Sequence, residues 1–156
     1  ALHEMEEGMM DLPEEIRARF ELEKVDLRTY SPLGLAFIGD GIYDLIIRTL
    51  VMEKGNRPAN ELNRRKVKYV NAAAQAEISD VIQEILTEEE VSVFRRGRNA
   101  KSYTSAKNQS VGDYRKATGL EALCGYLYLS GNTGRVMDLV EYGIKHSSFD
   151  KTKQIK

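Results

Sequence analysis

The sequence is poor in the residues that form covalent cross-links or bind soft metals. It holds one cysteine, two histidines and no tryptophan in 156 residues. The lone cysteine, Cys124, cannot form an internal disulfide, which favours a reducing compartment, and we expect a cytoplasmic protein. The histidines, His3 and His146, lie near opposite ends of the chain without a cysteine cluster, and this pattern argues against a zinc site.

Long hydrophobic runs are absent as well. No apolar stretch approaches the roughly 20 residues that a membrane helix needs. The start of the sequence also lacks the cationic segment, apolar run and cleavage site of a signal peptide. We therefore expect neither a membrane segment nor an export signal. A length of 156 residues, of which 42% are hydrophobic, is enough for one domain with its own core.

Neither sign of charge is in excess overall, but the charges are segregated along the chain. The formal net charge is −1, which by itself gives no indication of nucleic-acid binding. The first 26 residues are acidic, whereas basic residues cluster later: Arg64, Arg65, Lys66, Lys68, Arg95, Arg96, Arg98, Lys101, Lys107, Arg115 and Lys116. A local basic field can bind phosphate groups, although ordinary solvated helix faces produce the same clusters.

Proline is scarce, and helix-forming residues dominate the chain. Only three prolines occur. Ser31 followed by Pro32 predicts a helix start, and Thr87 with Glu90 predicts a capping box at another. Apolar residues recur at helical spacing, and no strand-like alternation is long enough to indicate a sheet. The sequence therefore predicts an all-α fold, with a polar loop over residues 97–112.

The stretch "FIGDGIYD", residues 37–44, is unusual for the middle of a helix. It holds two glycines, Gly39 and Gly41, each of which costs about 1 kcal/mol relative to alanine. Between them lies a carboxylate, Asp40, in an otherwise apolar stretch. A second isolated carboxylate, Glu121, lies among small residues in "ATGLEALCGYLYL". Because small residues let helix backbones approach closely, a contact between these helices would hold both carboxylates in one confined, buried pocket.

Two carboxylates in one pocket repel each other unless a proton or a cation lies between them. Oxygen ligands without a neighbouring His or Cys favour Mg²⁺ or Mn²⁺ over zinc. In this interpretation the two glycines permit close packing and a metal neutralises the buried aspartate. The alternative is structural, with each carboxylate satisfied by a helix cap or by an arginine.

The same residues resemble the signature of a known family. The segment "LGLAFIGDGIYDLII" is similar to the signature helix of ribonuclease III catalytic domains, and "TGLEALCGYLYL" to their second metal-binding helix. The match is closer to Mini-ribonuclease III, the short bacterial form without a double-stranded-RNA-binding domain. The resemblance implies an acidic extension at 1–24, a catalytic domain at 25–146 and a tail at 147–156.

The resemblance also implies an activity and a set of site residues. It implies a Mg²⁺-dependent endonuclease of double-stranded RNA, with Mn²⁺ able to substitute, that acts as a homodimer on precursor 23S ribosomal RNA. Asp40 and Glu121 match the catalytic, metal-binding carboxylates of the family. Asp44, Asp113 and Thr118 are candidates for fixing waters around the ion. The candidate RNA contacts are Arg64, Lys68, Arg96, Arg98, Lys101, Lys107 and Asn108.

The sequence departs from full-length ribonuclease III at three acidic positions. Leu33 and Ala36 stand where that signature carries glutamates, and Thr118 stands where it carries an aspartate. The short form shares this depletion, which leaves the ligands of a second metal open. Two other functions stay open from the residues: a catalytically silent helical dimer that binds structured RNA, and a helical interaction module whose basic patches are ordinary surface.

Overall fold

The computed structural model describes residues 11–100 and 110–148, and in these ranges the chain is helical without a β-strand. Seven α-helices follow one another there: α1 Leu12–Arg19, α2 Pro32–Glu53, α3 Ala59–Val70, α4 Ala72–Ile82, α5 Glu88–Asn99, α6 Val111–Leu129 and α7 Thr133–Lys145. Short 3₁₀ turns lie at Leu27–Thr29 and Gln83–Ile85. The predicted all-α class is confirmed. None of the helices in the described ranges is long and apolar enough to cross a membrane.

The helices α2 and α5 begin where the sequence predicts. The Ser31 hydroxyl accepts a hydrogen bond from the Gly34 amide at 2.9 Å, and Pro32 lies in the first turn of α2. Thr87 and Glu90 form the capping box: the Thr87 side chain accepts at 3.1 Å and the Glu90 side chain at 2.9 Å. Each cap gives a partner to an amide that the helix itself leaves unpaired, and so the caps set both starting points.

The polar loop predicted over residues 97–112 is shorter at both ends than expected. Helix α5 continues to Asn99, and α6 already begins at Val111. Gly97 stays helical because its missing side chain lets α5 lie against α6. Three candidate RNA contacts fall within residues 101–109, outside the described ranges: Lys101, Lys107 and Asn108.

Helix α6 runs through the centre of the domain, in contact with α2, α4, α5 and α7. Four core positions on it, Leu120 and residues 122–124, are fully shielded from solvent, and Glu121 between them is half-buried. Cys124 belongs to this core. Burial, together with the nearby charge of Glu121, raises the pKa of the Cys124 thiol to about 12. The thiol therefore stays protonated at neutral pH, and its role is packing.

Two glycines set the distance between α2 and α6. A Cβ atom at Gly39 would lie 1.6 Å from the Glu121 carbonyl oxygen, and one at Gly125 would lie 2.0 Å from the Leu35 carbonyl oxygen. The two helices therefore touch through backbone atoms, closer than a side chain would allow. Gly41 differs from the expectation, because a Cβ atom there would meet nothing within 4 Å. Of the two glycines in "FIGDGIYD", only Gly39 serves the close approach.

We predict that Gly39→Ala lowers the free energy of unfolding by at least about 2 kcal/mol or prevents folding, because the α6 backbone must move to admit the methyl group. Gly41→Ala on the same helix is the matched control. It should be neutral or stabilising by up to ~1 kcal/mol, since alanine is the better helix former and the position is open. Urea unfolding of the two variants measures the difference, and equal stabilities would contradict the close approach.

Candidate active site

The crossing of α2 and α6 brings the two unusual carboxylates together. Asp40 follows Gly39, whose α-carbon lies against the Glu121 backbone. The side chains of Asp40 and Glu121 interact both by charge and by hydrogen bonding. The convergence that the small residues predict is therefore present, with one carboxylate supplied by each helix.

Glu121 is strongly affected by its surroundings. Burial raises the pKa of Glu121 to about 8, and the charge of Asp40 and a hydrogen bond between the two side chains add to the rise. Hydrogen bonding to the Gln75 side chain lowers the pKa of Glu121 and opposes these effects. Without a cation, Glu121 therefore holds a proton at neutral pH, since two adjacent carboxylates cannot both ionise freely.

The two carboxylates differ in exposure, which corrects the expectation of one buried pocket. Asp40 is exposed on the surface of α2, whereas Glu121 is half-buried. The buried stripe of α2 passes through Gly39 and Tyr43, and Asp40 lies beside that stripe rather than on it. A metal is therefore not needed to explain how α2 tolerates Asp40. The exposure instead leaves one side of the pair accessible to an ion or a phosphate group.

Gln75 lies close to Glu121 and is not among the site residues predicted from the sequence. Its side chain is only 4% exposed. The Gln75 Nε2 atom donates to the Val70 carbonyl at 2.9 Å, while the Oε1 atom is buried without a hydrogen-bond partner among the described residues. The signal that could have found it is a single long amide within the alanine run "NAAAQAE", because a buried polar side chain needs a partner.

Asp44, one turn after Asp40, forms ion pairs with two basic side chains. Its carboxylate lies 2.5 Å from Arg48 Nε and 3.1 Å from Lys66 Nζ. Burial acts to raise the pKa of Asp44, but the hydrogen bonds from Arg48 and Lys66 outweigh it and hold that pKa below its usual value. Asp44 therefore stays ionised in a fixed position and links α3 to α2 beside the carboxylate pair.

The two remaining candidates for ordering water lie along α6. Thr118 is buried one turn before Glu121, and its hydroxyl donates to the Tyr114 carbonyl at 3.0 Å. The hydroxyl oxygen can still accept a hydrogen bond from a water. Asp113 lies in the first turn of α6, about two turns and roughly 12 Å along the helix axis from Glu121. Asp113 is therefore too far along α6 to bind an ion at Glu121 directly.

The described RNA-contact candidates lie on helices that pack against α2 and α6. Arg64 and Lys68 are exposed one turn apart on α3, which contacts α2. Arg96 and Arg98 occupy the last turn of α5, which contacts α6. The Arg98 Nε atom donates to Asn99 Oδ1 at 3.2 Å, whereas Arg96 is exposed. A role in RNA binding for these four residues stays a prediction.

The oxygen atoms at the crossing suit a hard divalent cation. Asp40 and Glu121 converge there, and Gln75 adds a buried oxygen without a partner among the described residues. No group of three or more His, Cys, Asp or Glu side chains in the described ranges is arranged to hold a metal by itself. This set of donors fits an ion such as Mg²⁺, which takes one or two carboxylates and completes its coordination with water and phosphate oxygens.

An all-α domain with an acidic pair between two central helices has the features of a ribonuclease III-type nuclease domain. Residues 33–132 match the Ribonuclease III domain family. A crystal structure of a Fusobacterium nucleatum protein superposes with a TM-score of 0.69 at 34% identity, covering 77% of this chain and 96% of that one. The class is therefore that of the ribonuclease III endoribonucleases, a family that acts on double-stranded RNA.

Two relatives narrow this class. Mini-ribonuclease 3 of Thermoanaerobacter sp. (strain X514) is 46% identical over 141 residues, which cover 90% of this chain and 97% of the relative. Mini-ribonuclease 3 of Clostridium tetani is 45% identical over 122 residues, which cover 78% and 81%. The chain belongs to the Mini-ribonuclease 3 family, and the resemblance based on the two signature segments is confirmed.

We predict that Glu121→Gln changes how the stability of the metal-free protein depends on pH. The pKa of Glu121 is about 8 in the folded protein against an ordinary value of 4.5. Between these values the folded protein holds a proton that the unfolded chain has lost, so wild-type stability falls as the pH rises through this window. The glutamine variant lacks this contribution.

Urea unfolding in the presence of EDTA, repeated between about pH 4.5 and about pH 9, measures this effect. The stability of Glu121→Gln relative to the wild type should increase with pH and level off above about pH 8. A difference that stays constant across the window would contradict the raised pKa.

Proposed function

We propose that this protein is a Mg²⁺-dependent endonuclease of double-stranded RNA in which Asp40 and Glu121 bind the ion, with Mn²⁺ able to substitute. The observation that carries the proposal is the meeting of these carboxylates where α2 and α6 touch, one exposed and the other half-buried with a raised pKa. A cation can replace the proton that otherwise relieves their repulsion. Membership of the family supports the nuclease activity itself.

The positions of Asp40 and Glu121 suggest a separate role for each in binding the divalent cation. When bound, a divalent cation lowers the pKa of a water and neutralises charge on the phosphate. Glu121 would anchor the ion from the protein side, and exposed Asp40 would hold it where the RNA backbone can approach. Asp44 and Thr118 lie one turn from Asp40 and Glu121, within range to order waters around the ion, whereas Asp113 lies farther away.

Positive charge on helices beside both carboxylates supports duplex binding. Proteins recognise double-stranded RNA mainly by shape, through phosphates and 2′-hydroxyls across the minor groove. Spaced basic side chains therefore matter more than groups that read bases. We assign phosphate contacts to Arg64, Lys68, Arg96 and Arg98, and from the sequence alone to Lys101 and Lys107. Asn108 is assigned, also from the sequence alone, to contacts with 2′-hydroxyls or bases. Precursor 23S ribosomal RNA in the cytoplasm is the duplex that the family resemblance implies.

An apolar stripe on α2 supports a homodimer. Leu33, Phe37 and Leu45 recur at multiples of four residues, and all three are exposed, Phe37 by 82%. A row of large exposed apolar side chains is typical of an interaction surface. Two-fold pairing is the commonest way in which a protein covers such a surface. In a dimer of this kind each protomer brings one carboxylate pair, and the two pairs can serve the two RNA strands.

A second candidate function is a catalytically silent dimer that binds structured RNA. It is favoured by Leu33, Ala36 and Thr118 at positions that are acidic in full-length ribonuclease III, and by the lack of a three-residue acidic cluster in the described ranges. A Mg²⁺-dependent cleavage assay on a long RNA duplex separates the two. The nuclease cuts the duplex, whereas the silent protein gives only a salt-sensitive gel shift.

We predict that Asp40→Asn lowers the cleavage rate at saturating RNA at least about 100-fold, because it removes the charge that holds the ion against the phosphate. The variant should fold, since Asp40 is exposed and lies outside the buried stripe of α2. Single-turnover cleavage and the circular-dichroism spectrum measure the two effects. A wild-type cleavage rate in purified Asp40→Asn would contradict the assignment of Asp40 as an ion-binding residue.

We also predict that Phe37→Arg converts the protein from a dimer to a monomer, because it places a charge in the centre of the apolar stripe. Phe20→Arg is the matched control, since Phe20 is also an exposed phenylalanine (71%) but lies outside α2. Sedimentation velocity at micromolar concentration gives the masses. A monomeric wild type, or dimers in both variants, would rule out this stripe as the interface.

A further inference from the structure

Gln75 connects a third helix to the carboxylate pair. On α4 it lies one turn before Ser79, whose hydroxyl donates to the Lys116 carbonyl of α6 at 3.0 Å. Residues four apart share one side of a helix, so Gln75 lies on the side of α4 that faces α6. Its side chain is close enough to Glu121 to lower the pKa of that carboxyl. The surroundings of Glu121 are therefore built from α2, α4 and α6.

The hydrogen bonds of the Gln75 amide are only partly used within the described part of the chain. A glutamine side chain has two N–H donors and one carbonyl acceptor. Nε2 donates to the Val70 carbonyl at 2.9 Å, which fixes the plane of the amide. Oε1 is fully buried and has no partner in the described ranges. A buried carbonyl oxygen is unfavourable without a donor, so this position suits a water molecule that donates to it.

We propose that Gln75 positions the ion-binding site: its amide N–H holds Glu121 in the orientation that faces the ion, and its Oε1 accepts a hydrogen bond from a water of the ion's shell. The inference rests on the proposed function, since it requires an ion at Asp40 and Glu121. Mg²⁺ retains several waters, whose hydrogens point outward to acceptors. Partners of this kind orient the residues that bind a metal. Gln75 is a positioning residue, because it is too deeply buried to contact RNA.

A purely structural role for Gln75 would be to close the corner between α3 and α4. Asn71 secures the same corner: its Nδ2 donates to the Val67 carbonyl at 2.9 Å, and its Oδ1 accepts from the Ala74 amide at 2.8 Å. Asn71 is not among the groups that act on Glu121. Asn71→Ala is therefore a matched control, since it loosens the corner and leaves the amide of Gln75 in place.

The experiment compares Gln75→Met, which keeps the length of the side chain and removes both hydrogen-bonding groups, with Asn71→Ala and Glu121→Gln. Isothermal titration of each RNA-free protein with Mn²⁺ gives the ion affinity, and steady-state cleavage of an RNA duplex gives kcat and KM. We expect Gln75→Met to bind Mn²⁺ roughly 10- to 100-fold more weakly than the wild type. Its kcat at a fixed Mn²⁺ concentration should fall, with little change in the KM for RNA.

The Asn71→Ala and Glu121→Gln variants distinguish a positioning role of Gln75 from a purely structural one. Asn71→Ala should be less stable than the wild type but should bind Mn²⁺ with wild-type affinity. The positioning role is overturned if Gln75→Met binds Mn²⁺ with wild-type affinity, or if Asn71→Ala loses as much affinity as Gln75→Met does. The proposed function survives either result as long as Glu121→Gln abolishes Mn²⁺ binding. If the wild type shows no Mn²⁺ binding that depends on Glu121, the proposed function fails and the inference fails with it.

Gln75→Glu provides a test if Gln75→Met does not fold. It preserves the shape of the side chain but places a third carboxylate beside the ion. Because a cation relieves the repulsion among the three groups, Mn²⁺ should raise the melting temperature of Gln75→Glu by more than it raises that of the wild type. An identical Mn²⁺-induced shift in the two proteins would show that Gln75 does not face the ion and would overturn the inference.

Discussion

The backbone contact between α2 and α6 is the constraint on which the rest of the site depends. The carbonyl oxygens of Glu121 and Leu35 lie only 1.6 and 2.0 Å from where Cβ atoms at Gly39 and Gly125 would be. This contact brings Asp40, the neighbour of Gly39, within interaction distance of Glu121. Because the interaction between two charges weakens with distance, wider separation of the helices would change the pKa of Glu121 and, with it, the proposed ion site.

The acidic residues around this contact differ in how their charge is satisfied. Asp44 is neutralised by Arg48 and Lys66, which keep its pKa low, whereas burial and Asp40 raise the pKa of Glu121. The pKa values of Asp44 on α2 and Glu121 on α6 are thus shifted in opposite directions. A shifted pKa with an unsatisfied charge partner is typical of functional sites. Asp44 is already paired with cationic side chains, whereas the proposed ion would take the place of the proton that Glu121 holds beside Asp40.

Local sequence signals predicted the helix starts well, while predictions that depended on a partner helix were less accurate. The cap at Ser31 and the capping box at Thr87 form as predicted, because they involve residues only three positions apart. The start of the polar loop was wrong, because Gly97 packs against α6 and stays helical. The burial of Asp40 was also wrong, since exposure depends on which side of α2 the other helices cover.

The sequence by itself determined the all-α class and the family, and it singled out Asp40 and Glu121 as unusual carboxylates, because helical periodicity and the signature segments are properties of short stretches of chain. Only the tertiary structure decided that Gly39 rather than Gly41 makes the close contact, that Asp40 is exposed, and that Gln75 joins Glu121 from α4. The physical reason is that these relations arise where three helices distant in sequence pack together. Local propensities act only over a few turns and do not fix which side of each helix its neighbours cover.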